Sequence, residues 1–387
     1  MMRKLAIHTL LVVALLLGFA THSVAQKSVK FESPTLEPRA EFATYFDNKE
    51  YASVDNSLSG TIFSARLTPK LALCWDTTPE GDVDNPRIHE VVLGADMFQD
   101  FGHDSKFLSD INVQMYYKFE SRRVEVDAGI FPRSRMRGLR STLFFDHDYR
   151  YYNNRIQGVY ARYGSDSYVE FAMDYDGMRS YERRESFMIM SSARKYIRRP
   201  QVGFGDMHLG YDFLMGHYAK DYNPNTADGV VDNLMLTPLI GYTHTFDLGY
   251  RKNSNLRRPN IYLLAEVKYI LSMQRDRLHE NVWRTEQGVE ILVEAGCCGA
   301  ILRNRLYLGD NLLTHYNRYG GNVYHGSPLY ATTKGIYNTI EVGYRSTLSF
   351  FIDLEAGVTI DYDGRGWGTR QYIALCIDLW PGIKLRK

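Results

Sequence analysis

The stretch SFFIDLEAGVTIDYDG, residues 349–364, alternates almost without error. Ile352, Leu354, Ala356, Val358, Ile360 and Tyr362 share one parity, and Asp353, Glu355, Gly357, Thr359 and Asp361 share the other. A period of two predicts a β-strand with one apolar and one polar face. The same alternation recurs in INVQMYYKF (111–119), RRVEVDAGI (122–130), SYVEFAMDYD (167–176), YLLAEVKYILSMQ (262–274), GVEILVEAGC (288–297) and QYIALCIDLW (371–380). Less regular strands are expected near 39–46, 61–75, 88–99, 155–163, 184–194, 201–218, 233–246, 301–309 and 338–346, with a bend or turn inside runs such as 201–218. The total is roughly fourteen to eighteen strands, with boundaries uncertain by several residues. No helix-period stretch of useful length interrupts them, and no linker splits the chain, so one closed antiparallel sheet is the economical reading.

The apolar faces must lie against a second protein layer or against lipid. Mean hydropathy is −0.34, which on its own describes a water-soluble chain. A transmembrane barrel escapes that test, because lipid-facing and lumen-facing residues average out. Three features favour lipid. The clean runs approach the roughly ten residues that a tilted strand needs to cross a bilayer, against about five or six in soluble sheets. Charged and small residues recur on the opposite face. Turns at 119–123 and 163–167 are short, whereas 131–154, 219–232 and 309–337 are long and polar, as expected of two unlike rims. The rival is a secreted or periplasmic all-β protein with one polar face.

The start of the chain sets the compartment. Arg3 and Lys4 precede an apolar run from Leu5 to Ala20, and SVAQ (23–26) supplies small residues for cleavage after Ala25. Residues 1–25 therefore read as a cleavable secretory signal and 26–387 as a single barrel domain. An uncleaved anchor is the alternative, although the run is short for a spanning helix. Tyrosine is abundant at 29 residues, as suits aromatic girdles at a lipid–water boundary or simply a β-rich core. A formal net charge of +1 gives no sign of a nucleic-acid partner. Cysteines 74, 297, 298 and 376 match neither a disulfide scaffold nor a zinc pattern, the histidines show no metal spacing, and no cofactor is expected.

At this point VDAGIFPRSR (Val126–Arg135) and GVYARYGSDSYVEFAMDYDG (Gly158–Gly177) carry a resemblance. A Gly-x-Phe-Pro run leaving a strand, followed by a hairpin with an acidic strand end, resembles outer-membrane porin-like barrel proteins of uncharacterised substrate. The resemblance implies an all-β, up-and-down transmembrane barrel in the outer membrane of a Gram-negative cell. It also implies contact with the bilayer and lipopolysaccharide, delivery by the barrel-assembly machinery, small hydrophilic solutes as cargo, and a homo-oligomer as one arrangement. Many such barrels end on an aromatic residue. This chain ends LWPGIKLRK, so Trp380 would serve from inside.

Candidate chemistry is mostly charge. Arg133, Arg135, Arg137 and Arg140 leave the strand ending at Phe131. Folded inward, they would face anions across a pore; left at the rim, they would pair with lipopolysaccharide or with Asp146 and Asp148. Glu266, Lys268, Glu290, Glu294, Asp353 and Glu355 are expected on the inner wall, as pore-lining groups or as satisfied ion pairs. Tyr316, Tyr319, Tyr324 and Tyr330 belong to a long loop that would stack on sugars, line a constriction or form an interfacial cap. His147 between Asp146 and Asp148, and His325 near Ser327, are the only hints of acid–base chemistry, without a nucleophile elbow or metal motif. The expected function is passive diffusion of small, hydrophilic, possibly anionic solutes. A plugged barrel serving a secretion or surface assembly is the second reading, and a rim enzyme the third.

Overall fold

A computed structural model of the chain describes residues 34–380 except 52–58, 83, 103–106, 178–182, 198–204, 221–228, 247–260, 333–334 and 350. The leader expected at 1–25 and the tail beyond Trp380 lie outside the described residues. Sixteen strands form one closed barrel. They are β1 (Thr35–Tyr51), β2 (Gly60–Asp76), β3 (Ile88–Asp100), β4 (Asp110–Glu120), β5 (Val124–Pro132) and β6 (Arg155–Gly164). The chain continues through β7 (Tyr168–Gly177), β8 (Arg183–Ile197), β9 (Asp206–Lys220), β10 (Val230–Phe246) and β11 (Ile261–Asp276). It finishes with β12 (Trp283–Cys297), β13 (Ala300–Gly309), β14 (Ile336–Ser349), β15 (Ile352–Tyr362) and β16 (Trp367–Trp380). Every strand pairs antiparallel with its neighbours in sequence. The first closes on the last, with Phe42 opposite Ile377 and Asn48 opposite Gln371. Of the run 201–218, residues 201–204 lie outside the described residues, and from Asp206 onward the chain is a single strand to Lys220.

Parity decides which way each side chain points, and the apolar parity points out. In β15, Val358 and Ile360 are exposed while Thr359 and Asp361 on the other parity are buried. Val342, Ile373, Leu93, Ile111, Val113, Phe171 and Val267 are likewise exposed on the outer surface of their strands. Among the described residues, all sixteen strands lie in the one closed ring, so no second sheet covers this belt. A soluble core is therefore excluded in favour of hydrocarbon as the solvent of the outer face, since open apolar area of this extent is unsustainable in water. Aromatic side chains edge the belt at both ends. Trp75, His89 and Tyr117 cluster at one rim, with Trp75 stacked on His89 at 5.3 Å. Phe46, Phe63 and Phe101 pack edge to face at the other.

The antiparallel order sorts the connections. The rim bearing the described chain ends also carries the tight turns 121–123, 165–167 and 298–299. Among the described residues the opposite rim carries two long connections that hold helices, 133–154 and 310–332, whereas most of the loop expected at 219–232 lies outside the described residues. The first contains α1 (His147–Tyr152); the second contains single turns of helix at Tyr316–Tyr319 and Leu329–Thr332.

Candidate functional site

Both long connections fold into the barrel and fill one side of it. Pro132 ends β5, and the chain turns inward through a short 3-10 turn at Arg133–Arg135. Gly138 then reaches Glu170 of β7, donating its backbone N–H to that carboxylate, and Arg137 donates its own N–H to the same group at 3.3 Å. A Cβ on Gly138 would collide with Glu170 and Ser192, so only glycine permits this approach. Further along, the Ser141 hydroxyl donates to Glu290 of β12 at 3.4 Å, and Arg305 of β13 donates to the Thr142 hydroxyl at 2.7 Å. Asp146 caps α1 by accepting the Tyr149 N–H at 2.7 Å.

The second connection seats against the first. Asp146 N–H donates to the carbonyl of His325 and Ser327 N–H to that of Thr142, both at 2.7 Å. Gly326 sits so close to the Leu143 carbonyl that no side chain fits. Beneath this joint lies an apolar cluster. Leu143, Phe144, Phe145, Leu312, Leu313 and Tyr330 pack near inward-facing Met188, Met190, Leu214, Met235 and Ile270. Polar tips are satisfied at the wall: Tyr330 Oη donates to Glu290 and Tyr324 Oη to Gln274, each at 2.6 Å. The loop tyrosines thus form neither an exposed stacking surface nor a rim cap, because Tyr319, Tyr324 and Tyr330 are buried in the plug and Tyr316 packs against it.

The rest of the lumen is wet. A cavity of about 1110 Å³ runs from Lys49, Tyr51 and Thr61 near the long-loop rim, past Arg140, Asp146 and His147, toward Tyr262, Glu294, Arg345 and Glu355 near the other. Its wall is a lattice of ion pairs. Lys268 lies 3.3 Å from Glu290 and 3.7 Å from Glu266, and Glu266 meets His208 at 2.9 Å. Arg303 bridges Glu294 and Glu341 at 2.6 Å each; Arg345 pairs with Glu355 at 2.7 Å. Asp353 accepts from the Thr347 hydroxyl at 2.7 Å and lines a second cavity beside the first.

The four arginines expected together separate. Arg133 is buried, pairs with Asp174 at 2.6 Å and lies over the rings of Phe145 and Tyr149. Arg135 meets Asp127 at 2.8 Å, and Arg137 meets Glu125 at 2.9 Å. Their partners are wall carboxylates rather than Asp146 or Asp148, and none of these three lines the large cavity. Arg140 does. It is exposed, donates to the Arg137 carbonyl, and has no carboxylate in ion-pair range among the described residues.

Arg150 joins it, a residue that the sequence pattern did not single out. Its guanidinium donates to the carbonyls of Leu139 and Phe145 and pairs with no described carboxylate. Burial, and then the charges of Arg305 and Arg133, bring its pKa down to about 10. His147 has its ring open to lumen water inside the barrel. That enclosure, and then the charges of Arg370, Lys49, Arg150 and Arg305, hold it well below the usual histidine range. The remaining acid–base candidates are already engaged. Asp148 pairs with Lys49, Asp146 is raised to about 6 chiefly by burial, and His325 stacks on Tyr149 at 4.1 Å. Burial, and then Arg133, push His325 down to about 3.

No family model matches this chain, and no curated protein matches it. Solved structures are similar at low identity. An anion-selective porin from Comamonas acidovorans shares 12% identity over 90% of this chain and 99% of its own, with a TM-score of 0.47. A mutant of Rh. blastica porin shares 10% over 89% and 100%, and Pseudomonas aeruginosa OccK1 shares 9% over 89% and 98%; each has a TM-score of 0.39. The barrel assignment rests on the strand order of this chain itself.

Proposed function

We propose that the chain is a porin-like channel of a Gram-negative outer membrane, passing small hydrophilic solutes by diffusion and favouring anions. The long-loop rim would face outward, with both described chain ends toward the periplasm. One observation carries the reading: a cavity of about 1110 Å³ runs along the barrel, and its lining sets Arg140 and Arg150, which pair with no described carboxylate, beside Lys49, Arg305 and Arg370. Fixed charge at a constriction selects by sign, and guanidinium groups suit carboxylates and phosphates. Most wall carboxylates spend their charge on a neighbouring cation, whereas Arg140 and Arg150 keep theirs for the lumen.

Purified protein in planar bilayers under a salt gradient tests this. A steady current with an anion-selective reversal potential is expected, and the double change Arg140→Glu, Arg150→Glu should move that potential toward cation selectivity. A folded, inserted barrel that stays silent would remove the channel. The apolar plug supports the second reading, a closed scaffold, and that silence would be its signature.

A further inference from the structure

The tight turn between β12 and β13 consists of Cys298 and Gly299, and both have positive φ, 56° and 88°. Two left-handed central residues are the mark of a type I′ hairpin turn, which favours Asn or Gly at the first position. A cysteine there is strained, and retained backbone strain directs attention to what the side chain does. In an extended chain, adjacent side chains diverge to opposite faces. The left-handed twist at Cys298 swings its sulfur back instead, so that the two Sγ atoms of Cys297 and Cys298 lie 3.2 Å apart. Cys298 is exposed and Cys297 half-buried, at the rim that carries both described chain ends.

We propose that Cys297 and Cys298 form a two-sulfur clasp for trivalent thiophilic metalloids of the arsenous-acid type. The bite distance selects this class. With bonds to sulfur of about 2.3 Å, as for zinc, a 3.2 Å separation subtends an angle of about 90° at the bound centre. A pyramidal centre with a lone pair accepts that angle; tetrahedral zinc prefers a wider one, and linear two-coordinate ions wider still. Direct oxidation of the pair is less well served. Consecutive Cα atoms stand about 3.8 Å apart, short of the roughly 4.4–6.8 Å of ordinary disulfides. Binding needs no oxidant. Two S–As bonds form, two As–O bonds of arsenous acid break, and two water molecules leave, each taking one thiol proton.

The test uses the full chain, reduced and held in detergent micelles, with phenylarsine oxide as probe; there, two S–As bonds replace the As=O group and one water leaves. After one equivalent, maleimide labelling read by intact mass should fall by two of the four thiols. Cys298→Ser and Cys297→Ser should each abolish that protection and weaken binding by about a hundredfold, the loss expected when a chelate becomes a single bond. Cys74→Ser and Cys376→Ser should leave it intact. Heat-modifiable gel mobility confirms that each variant is a folded barrel. Protection that survives in Cys298→Ser, protection that maps to Cys74 or Cys376, or a freshly isolated chain already carrying an internal Cys297–Cys298 disulfide would each overturn the proposal.

Discussion

The two sides of the lumen obey the same parity and reach opposite outcomes. On β8 to β11 the inward positions include Met188, Met190, Leu214, Met235 and Ile270, and all are buried or nearly so beneath the inserted connections. On β13 to β16 the inward positions include Arg303, Arg305, Glu341, Arg345, Glu355, Asp361 and Arg370, and they line the large polar cavity. Inward apolar side chains demand a cover; inward charges demand water or each other. The barrel wall therefore dictates where its plug sits, and the passage is the part of the lumen that the wall leaves polar.

That contrast breaks most severely at Phe145. It is 3% exposed, lies under Arg133 and stacks on Tyr149. Phe145→Ala should cost the loop's seat about 3–5 kcal/mol, the usual loss for a buried phenylalanine. Single-channel conductance should rise and protease should cut 133–154 in the inserted protein; unchanged values for both would mean that the plug is not held by this cluster. Gly326→Ala attacks the joint between the two connections, because the new methyl meets the Leu143 carbonyl. Overpacking of this kind costs about 1–3 kcal/mol. Both connections should loosen together, read as faster hydrogen exchange in 138–145 and 322–330 alike.

On the wet side the same treatment should do little to stability. Arg345 and Glu355 are both well exposed to the lumen, and such pairs contribute about 0–1 kcal/mol. Arg345→Ala should leave thermal unfolding nearly unchanged while reducing anion preference in the reversal potential. A large stability loss would erase the distinction drawn between the two sides. The smallest effect concerns pH. Burial raises the Asp146 carboxyl to about 6, so the folded form binds its proton more tightly than the unfolded chain does. That contribution is complete below the ordinary carboxyl range and is lost as pH rises through about 6. Protease protection of 133–154 should therefore increase modestly between pH 7.5 and pH 5, and Asp146→Asn should flatten the trend.

The strands were legible because one face meets hydrocarbon along most of its length, so that parity reports directly on the outer surface. Segments 184–194 and 233–246 read as irregular for a physical reason. Phe187, Met188, Ile189 and Met190 are apolar on both parities, as are Leu234, Met235 and Leu236, because there the inner face is also covered. Apolar runs on both parities were the available signal for a plugged wall. The described part of the run 201–218 holds two glycines, Gly210 and Gly216, and the ladder of β9 passes through both without a break. The arginine partners were beyond reach of the sequence. Arg133 meets Asp174 and Arg135 meets Asp127 only because the chain turns back into a ring that its own strands define. Arg150 drew no notice because its role comes from the neighbours it lacks.

Closure of β1 on β16 makes the first and last strands of the barrel mutual templates. Until the C-terminal strand is delivered, two ribbon edges stand with unpaired amides and carbonyls, which hydrocarbon cannot solvate. Insertion thus has no stable halfway stage. A ribosome stalled before residue 367 would release a chain fit only for escort or degradation, so quality control of this protein reduces to whether its first and last strands have met.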